Sequence, residues 1–255
     1  MNENPNQLGV TLQTQELAHD AQGYLVWKKE QNPTVLEMNK TAIILSDLWD
    51  LHWCRGAAER LLPLLGKINE VNARIRNLGG LVVHAPSNTM EFYDNTPARN
   101  RLLEARPIQP PKEKDLQFPP LPIDDSDGGS DTNNNFGKVN ENVWTRQHPE
   151  VHIDPSKDIV CGDEGEKLYS LFTQKQITTL LFAGVHTNMC ILNRSFGIKQ
   201  MLRWGFKCIL IRDLTDAMYN PAMRPYVSHE QGTELVVEYI EKFVCPTVAS
   251  PEIIA

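Results

Sequence analysis

The stretch that decides the fold is TTLLFAGVHTNMC, residues 178–190. It opens with an apolar run, 178–184, whose length is typical of a strand buried on both faces, and the residues after it have apolar side chains at helical spacing. Cys190 lies six residues past Gly184, in the predicted first turn of the helix. The sequence therefore predicts a strand–turn–helix unit that carries a cysteine just after the turn.

Three other segments repeat this apolar character: TAIILS (41–46), GLVVHA (80–85) and FKCILI (206–211). Helical periodicity follows each of them, and strands that alternate with helices imply right-handed crossovers. The expected fold class is α/β, a three-layer α-β-α arrangement around a mostly parallel sheet. Ligands of such sheets bind beyond the carboxyl ends of the strands, so the search for function begins there.

Composition excludes several classes of function. The sequence has 25 basic and 32 acidic residues, a formal net charge of −7, and no Lys/Arg cluster. Such a chain is a poor general binder of nucleic acid or of anionic membranes, and it lacks the run of roughly 18 apolar residues that a membrane helix needs. We therefore expect a small-molecule substrate, with no nucleic-acid and no membrane partner.

The five cysteines are scattered and contain no CxxC pair. This pattern favours reduced thiols over a disulfide framework, and the first residues have neither a basic start nor an apolar core of the kind that a signal peptide has. The expected localisation is cytoplasmic.

The periodicity divides the chain into four parts. Residues 1–40 are expected to form an N-terminal arm with a hairpin that turns at Gln31–Pro33, and residues 41–245 form the main domain. Within that domain, 107–150 is a Pro/Asp/Asn-rich insertion, because proline and glycine at this density prevent regular structure. A segment of this kind is typically a lid or a flexible insertion. Residues 246–255 are expected to form a tail.

Two side chains at strand ends suggest covalent chemistry. Asp47 follows the strand 41–46, and Cys190 follows the strand 178–184. A carboxylate beside a thiol can accept its proton, and the N–H groups of a helix N-terminus favour a thiolate and can stabilise an oxyanion. The alternatives are an Asp47 that only caps a turn and a Cys190 that is a buried packing residue.

The segments TAIILSD, GLVVHA, TTLLFAGVHTNMC and FKCILIRDLTDA, in this order, resemble the isochorismatase-like cysteine hydrolases, the group that includes isochorismatases, nicotinamidases and N-carbamoylsarcosine amidase. The resemblance covers roughly residues 40–245. Its most specific part is the GxxTxxC pattern of Gly184, Thr187 and Cys190. It implies a parallel six-stranded sheet between helical layers and assembly into a homo-oligomer.

The resemblance also implies an Asp–Lys–Cys triad that hydrolyses a small amide or a related C–N bond without a cofactor. Cys190 would be the nucleophile and would form a thioester-type intermediate, and Asp47 would be its base. A cis peptide bond is implied just before His186, with the N–H groups of His186 and Cys190 facing the oxyanion. The residues expected to contact the substrate or its oxyanion are His186, Thr187, His52 and Trp49.

The lysine of this triad has no single obvious position. Counting back along the helix predicted near residue 168 gives Lys157, whereas aligning DIV (158–160) with the corresponding strand of the family gives Gly162. Lys157 is therefore the candidate for the third catalytic residue, with a solvated loop lysine as the alternative. Arg146, in the insertion, is another source of positive charge. If no cation fills this place, the chain is a non-catalytic binding or scaffold protein with the same fold.

A third hypothesis is a metal-dependent hydrolase. Asp50, His52 and Cys54 alternate, so in an extended segment they would share one side, and His84 ends a strand nearby. These residue types are zinc ligands, and together they form a candidate metal site. The preferred interpretation of 50–54 is a pocket wall with no metal, in which Trp49 helps to exclude water.

Overall fold

The computed structural model describes residues 6–133 and 142–255. Within these ranges eight strands form one sheet in the order β2-β1-β8-β7-β6-β3-β4-β5. The strands from β8 to β5 pair in parallel, and β1 pairs antiparallel with β2 and β8. The strands are β1 (Gln7–His19), β2 (Leu25–Glu37), β3 (Thr41–Ser46), β4 (Leu81–Ala85), β5 (Ile159–Val160), β6 (Thr179–Val185), β7 (Lys207–Asp216) and β8 (Thr247–Val248).

Helices cover both faces of this sheet. Successive residues of β3 alternate between the two faces, so Ile43 packs in one apolar core and Ile44 in the other. The helices are α1 (Arg55–Asn77), α2 (Pro97–Leu103), α3 (Gly165–Gln174), α4 (Cys190–Asn193), α5 (Ile198–Arg203), α6 (His229–Phe243) and α7 (Ser250–Ile254). Helices α1 and α7 contribute to the core of Ile43, and α3, α5 and α6 to that of Ile44. The predicted α/β class with three layers is confirmed.

The strand count and the tail differ from the prediction. Six parallel strands, β3 to β8, form the expected sheet, and β1 and β2 extend it to eight. The predicted tail, 246–255, contains β8 and α7, which pack in the sheet and its core. A strand of two residues and a helix of five are too short to produce a readable hydrophobic period, so the sequence pattern missed them.

The N-terminal hairpin turns at a different place from the one predicted. Its turn lies at 20–24, where the Asp20 carboxylate accepts hydrogen bonds from the backbone N–H groups of Gln22 and Tyr24. Pro33, expected in the turn, lies within β2 opposite Thr11. Because β2 is an edge strand, it can accommodate a residue without an N–H, so the proline does not interrupt it.

The insertion has no helix or strand in its described parts, 107–133 and 142–150. Its second part runs beside the end of β3, where the His148 N–H donates to Leu48 O at 2.7 Å and Trp49 pairs with Gln147. The prediction that it acts as a lid stays a prediction, and residues 1–5 of the arm and 134–141 of the insertion lie outside the described residues. In the described ranges, no helix combines the length and apolarity that crossing a membrane requires.

Candidate active site

The Asp47 carboxylate is held at the carboxyl end of β3. It has no exposed surface, and its two oxygens accept from the backbone N–H of Ser87 at 2.8 Å and from Nε of Arg194 at 3.0 Å. The neighbouring strand β6 ends beside it at Gly184, where a Cβ atom would lie 2.2 Å from the carbonyl oxygen of Ser46. Glycine therefore permits the close approach of β3 and β6 that brings their carboxyl ends together.

Cys190 reaches the same place from β6. It begins α4, and its thiol lies close enough to Asp47 for the carboxylate charge to raise the pKa of the thiol. The other four cysteines of the chain are buried, whereas Cys190 is partly exposed. The predicted convergence of Asp47 and Cys190 is thus present at the carboxyl ends of two adjacent strands.

The helix after Cys190 is shorter than the sequence pattern indicates. Instead of one continuous helix, α4 is a single turn that ends at Asn193, and α5 starts at Ile198 after a bend over residues 194–197. A Cβ atom on Gly197 would lie 2.9 Å from the backbone of Arg194, so this tight bend requires glycine. A single turn has only a small dipole, so the environment of the sulfur depends mainly on neighbouring side chains.

Arg194 is the cation at this site, and the sequence analysis missed it. Its Nε contacts Asp47, and its Nη1 lies 3.4 Å from Oδ2 of Asp163, in the segment after β5. The sequence does contain a signal for Arg194. It lies four residues after Cys190, and side chains at this spacing share a helix face. The resemblance implied a lysine instead, and the positions considered for it lie elsewhere in the chain.

Burial sets the protonation of the reacting pair. It raises the pKa of Asp47, and Arg194 and the hydrogen bonds to the carboxylate offset only part of that effect. Burial and the adjacent Asp47 charge raise the pKa of the Cys190 thiol well above its usual range, against the opposing influence of Arg194 and the His186 backbone. Both influences favour the neutral thiol over the thiolate, and Asp47 is the carboxyl group beside it that can act as a base.

The backbone after β6 faces this pair. The Val185–His186 peptide bond is cis. Among hydrogen bonds between described residues, the Cys190 N–H donates to no backbone acceptor, which leaves it available to a ligand. Thr187, expected to contact the substrate, is fully buried instead, and its hydroxyl pairs with that of Thr215 at 2.7 Å. This pair ties the end of β6 to β7, so the Thr187 hydroxyl already has a partner within the protein.

Neither cation candidate from the sequence is at the site. Lys157 precedes β5, so it is exposed at the opposite end of the sheet from Cys190. Arg146 lies 4.0 Å from Asp50 and stacks over Phe92. Gly162 follows β5 at the correct end of the sheet but has no side chain to supply a charge. The assignment of Lys157 was wrong because a lysine before a parallel strand cannot reach the carboxyl edge.

A stack of aromatic rings forms one wall beside the site. Trp49 and Trp144 stack with centroids 4.0 Å apart, and His52 lies 5.7 Å from Trp144 and 5.1 Å from His186. Burial lowers the pKa of His52 to about 4 and that of His186 to about 3, so both rings are neutral at pH 7. A cavity of about 170 Å³ lies here, lined among others by Asp47, Trp49, His52 and His186.

The four candidate metal ligands do not converge. Asp50 accepts hydrogen bonds from Thr145, and Cys54 faces Asp131 and Thr132. His84 is fully buried between Gln147 and Asp158, at 2.9 and 3.0 Å. His52 contacts the aromatic wall. Across residues 6–133 and 142–255 no three His, Cys, Asp or Glu side chains form a group able to hold a metal ion.

A second charged cluster adjoins the site at the end of β7. Arg60 of α1 contacts Asp216 at 3.0 Å and Asp131, in the insertion, at 2.7 Å. Nε2 of His229 donates to the other Asp216 oxygen at 2.8 Å. The carboxylates of Asp131 and Asp216 are therefore both ion-paired within the protein, and the Arg60 guanidinium already binds the two of them.

The comparisons with known proteins concern the fold. No family model matches the sequence, and no curated protein matches it. A solved cysteine hydrolase from Pseudomonas syringae pv. phaseolicola is 17% identical, with a TM-score of 0.51 over 86% of this chain and 92% of that one.

Two other solved structures are less similar. An isochorismatase-like hydrolase from Alkaliphilus metalliredigens is 15% identical, with a TM-score of 0.48 over 84% of this chain and 97% of its own. The N-carbamoylsarcosine amidase from Thermoplasma acidophilum is 12% identical, with a TM-score of 0.45 over 83% and 96%. At these identities it is the fold that is shared, and the resemblance seen in the sequence is confirmed at that level.

Proposed function

We propose that this chain is a cysteine hydrolase that cleaves a small amide or a related C–N bond through a covalent intermediate on Cys190. The observation that carries the proposal is that Cys190 and Asp47 meet at the carboxyl ends of β6 and β3, with the Arg194 guanidinium 3.0 Å from the carboxylate. A nucleophile, a base and a balancing cation at one place are what acyl transfer to a thiol needs.

The first half-reaction forms a thioester. Sulfur attacks the substrate carbonyl carbon while its proton moves to Asp47, and the developing oxyanion accepts hydrogen bonds from the N–H groups of Cys190 and His186. The C–N bond then breaks, and the amine leaves with the proton that Asp47 returns. Arg194 balances the negative charge that alternates between the carboxylate and the sulfur.

The second half-reaction releases the acid. Water attacks the thioester carbonyl and gives a proton to Asp47, and the carbon–sulfur bond breaks as the tetrahedral intermediate collapses. Asp47 then returns its proton to the Cys190 thiolate, which restores the resting state. Thiol, carboxylate and water complete the cycle, so the proposed chemistry uses no cofactor.

Parallel assays of three proteins test this proposal. Wild type, Cys190→Ala and the control Cys245→Ala are screened against a panel of small amides, and ammonia or amine release is measured. Because Cys245 is buried outside the site, its variant should keep wild-type turnover, whereas Cys190→Ala should lose it with an unchanged circular dichroism spectrum. If no amide is hydrolysed above the Cys190→Ala background, the proposal is wrong and a non-catalytic binding role gains support.

A further inference from the structure

The guanidinium of Arg194 joins two carboxylates that lie in different surroundings. Its Nε donates to Oδ2 of Asp47 at 3.0 Å, and Asp47 has no exposed surface. Its Nη1 lies 3.4 Å from Oδ2 of Asp163, whose side chain is 37% exposed. Asp47 therefore binds one nitrogen of the guanidinium inside the protein, and Asp163 binds a second nitrogen nearer the solvent.

A single contact does not fix the side chain of Arg194. This residue follows the last residue of α4, and its side chain is 21% exposed, so the guanidinium has a route to the solvent. Holding an arginine in one orientation costs rotamer entropy, and a second charge-assisted contact offsets that cost. The contact with Asp163 therefore favours the orientation in which the guanidinium also contacts Asp47.

The other oxygen of Asp163 is fixed to the residue that follows Arg194. Oδ1 of Asp163 accepts from the backbone N–H of Ser195 at 2.8 Å and from its hydroxyl at 2.5 Å. That hydroxyl accepts in turn from the N–H of Gly165 at 2.8 Å. A Cβ atom on Gly165 would lie 2.0 Å from the carbonyl oxygen of Ser195, so glycine is required where α3 begins against this bend. Asp163 thus holds both the backbone and the guanidinium on either side of one peptide bond.

The turn that carries Asp163 is itself anchored. The Glu164 carboxylate accepts from the backbone N–H of Gly162 at 3.0 Å and from both terminal nitrogens of Arg99. Arg99 belongs to α2 and is almost fully buried. The carboxylate of Asp163 is therefore presented from a turn whose position does not depend on Arg194.

We propose that Asp163 is a positioning residue that holds the Arg194 guanidinium against Asp47, so that the positive charge stays beside the reacting pair. Asp163 acts through Arg194: in the described part of the chain its carboxylate binds Arg194 and Ser195, and it makes no hydrogen bond to Asp47 or Cys190. The role of this contact in a reaction rests on the proposed function, whereas the position of Arg194 can be measured without hydrolysis.

The charge of Asp163 and the position that it gives to Arg194 have opposite effects on Asp47. A nearby negative charge raises the pKa of a carboxyl group, so loss of the Asp163 charge alone would lower the pKa of Asp47. Arg194 lowers the pKa of Asp47, so a guanidinium that moves away would let this pKa rise. The direction of the change in the pKa of Asp47 therefore shows whether Arg194 has moved.

The variant Asp163→Asn tests the contact. The Ser195 N–H retains the amide oxygen, so the amide NH₂ faces Arg194 and cannot accept from it. The pKa of Asp47 is measured from the carbon-13 NMR shift of its carboxyl group, which is assigned by the loss of that signal in Asp47→Asn. We expect the pKa of Asp47 to rise by about one pH unit or more in Asp163→Asn. An unchanged or lower pKa would mean that Arg194 has kept its place, and it would overturn the proposal.

Two control variants separate the ionic contact from other effects. Glu166→Gln removes one charge from an exposed residue in the first turn of α3 and should leave the pKa of Asp47 unchanged. Ser195→Ala removes the hydroxyl from the junction but keeps the charges of Asp163 and Arg194, so the pKa of Asp47 should change far less than in Asp163→Asn. Equal rises in Asp163→Asn and in either control would contradict the proposal, because the ionic contact would then not be their source.

Turnover in two backgrounds separates this inference from the proposed function. Asp163→Asn should lower kcat about tenfold in the wild-type background and have no further effect in Arg194→Ala, because its effect passes through Arg194. If amides are hydrolysed and the loss is the same in both backgrounds, the catalytic proposal stands and the positioning role is wrong. If no amide is hydrolysed but the pKa of Asp47 rises in Asp163→Asn, the positioning of Arg194 stands and the catalytic proposal fails.

Discussion

Nε of Arg194 lies 3.0 Å from Oδ2 of Asp47, a carboxylate with no exposed surface. The two residues are 147 positions apart in the sequence, yet Arg194 follows the short turn that starts at Cys190. Of the two positions that the resemblance gave for a lysine, Lys157 lies at the opposite end of the sheet, and Gly162, after β5, has no side chain. The positive charge therefore comes from the same segment as the nucleophile.

Replacing Arg194 tests its role as the balancing cation. In Arg194→Ala, the buried Asp47 loses its ion pair, its pKa rises further, and we expect turnover to fall by about 100-fold or more. Arg194→Lys should retain part of the activity, since an ammonium keeps the charge but cannot bridge Asp47 and Asp163 as the guanidinium does. The measurement is kcat, with Arg203→Ala on α5 as a control that should match wild type. Wild-type kcat in Arg194→Ala would remove Arg194 from the mechanism.

The position of the missing lysine can be tested in the same background. A Cβ atom on Gly162 would approach Cγ of Met90 at 3.0 Å, and a methionine side chain is flexible enough to move aside. In Arg194→Ala, adding Gly162→Lys should therefore recover part of the lost turnover. Recovery would mean that the two positions are interchangeable sources of one charge. No recovery in a folded double variant would show that a cation after β5 does not reach the carboxylate.

Asp47→Asn should make the Cys190 thiol more reactive toward alkylation but abolish hydrolysis. The negative charge of Asp47 raises the pKa of the Cys190 thiol, so its removal beside an unchanged Arg194 lowers that pKa and increases the thiolate fraction at pH 7. Alkylation of Cys190 by iodoacetamide should become faster and its pH profile should shift to lower pH. Hydrolysis should be lost, because no base remains to shuttle the proton. A pH profile that shifts upward would contradict the coupling of the two groups.

Asp158 should stabilise the fold in a pH-dependent way. Its carboxylate is buried and accepts from Arg76 and from His84, and these contacts outweigh the burial and lower its pKa to about 2. Asp158→Asn leaves Arg76 unpaired, so we expect a loss of about 3–5 kcal/mol in the free energy of unfolding at pH 7. The control Asp154→Asn alters an exposed carboxylate nearby and should change stability far less.

The difference in the free energy of unfolding between wild type and Asp158→Asn should depend on pH in a defined direction. A carboxyl group with a lowered pKa in the folded state stabilises the protein above its unfolded-state pKa, near 3.8, and loses this effect as the pH falls through about 2. Urea unfolding of wild type and Asp158→Asn should therefore give the full difference at pH 5–7 and a shrinking one below pH 4. A difference that stays constant down to pH 2 would mean that the carboxylate charge is not its source.

The sequence predicted the framework of the site because that framework depends on local pattern. Buried parallel strands such as β3 and β6 have continuous apolar runs, and the residues that follow them, Asp47 and Cys190, are placed at one edge by topology alone. The alternation of strands and helices sets that topology. No contact between distant side chains had to be known.

The other features of the site depend on contacts between side chains that are distant in the sequence, and no local pattern encodes such contacts. Arg194 lies beside Asp47 because α4 ends at Asn193 and the chain turns there, and the hydroxyl of Thr187 pairs with that of Thr215 on the neighbouring strand β7. Lys157 was assigned by counting along a helix, a measure that ignores which end of a strand a residue occupies. His84 was a candidate metal ligand, but in the fold its two ring nitrogens contact Gln147 and Asp158.

The place of β8 in the sheet governs the order in which the protein can assemble. This strand of two residues is the last of the eight in the sequence, yet in the sheet it lies between β1, the first, and β7. The carboxylate of Glu241, which precedes β8 in the sequence, accepts hydrogen bonds from Gln13 of β1 and from Thr247 of β8. In the order of synthesis β1 precedes α6 and β8, so its contacts with Glu241 and with Thr247 can form only when the C-terminal part of the domain has been made. Until then, the edge of β1 that pairs with β8 stays open to chaperones or to the hairpin of a neighbouring nascent chain.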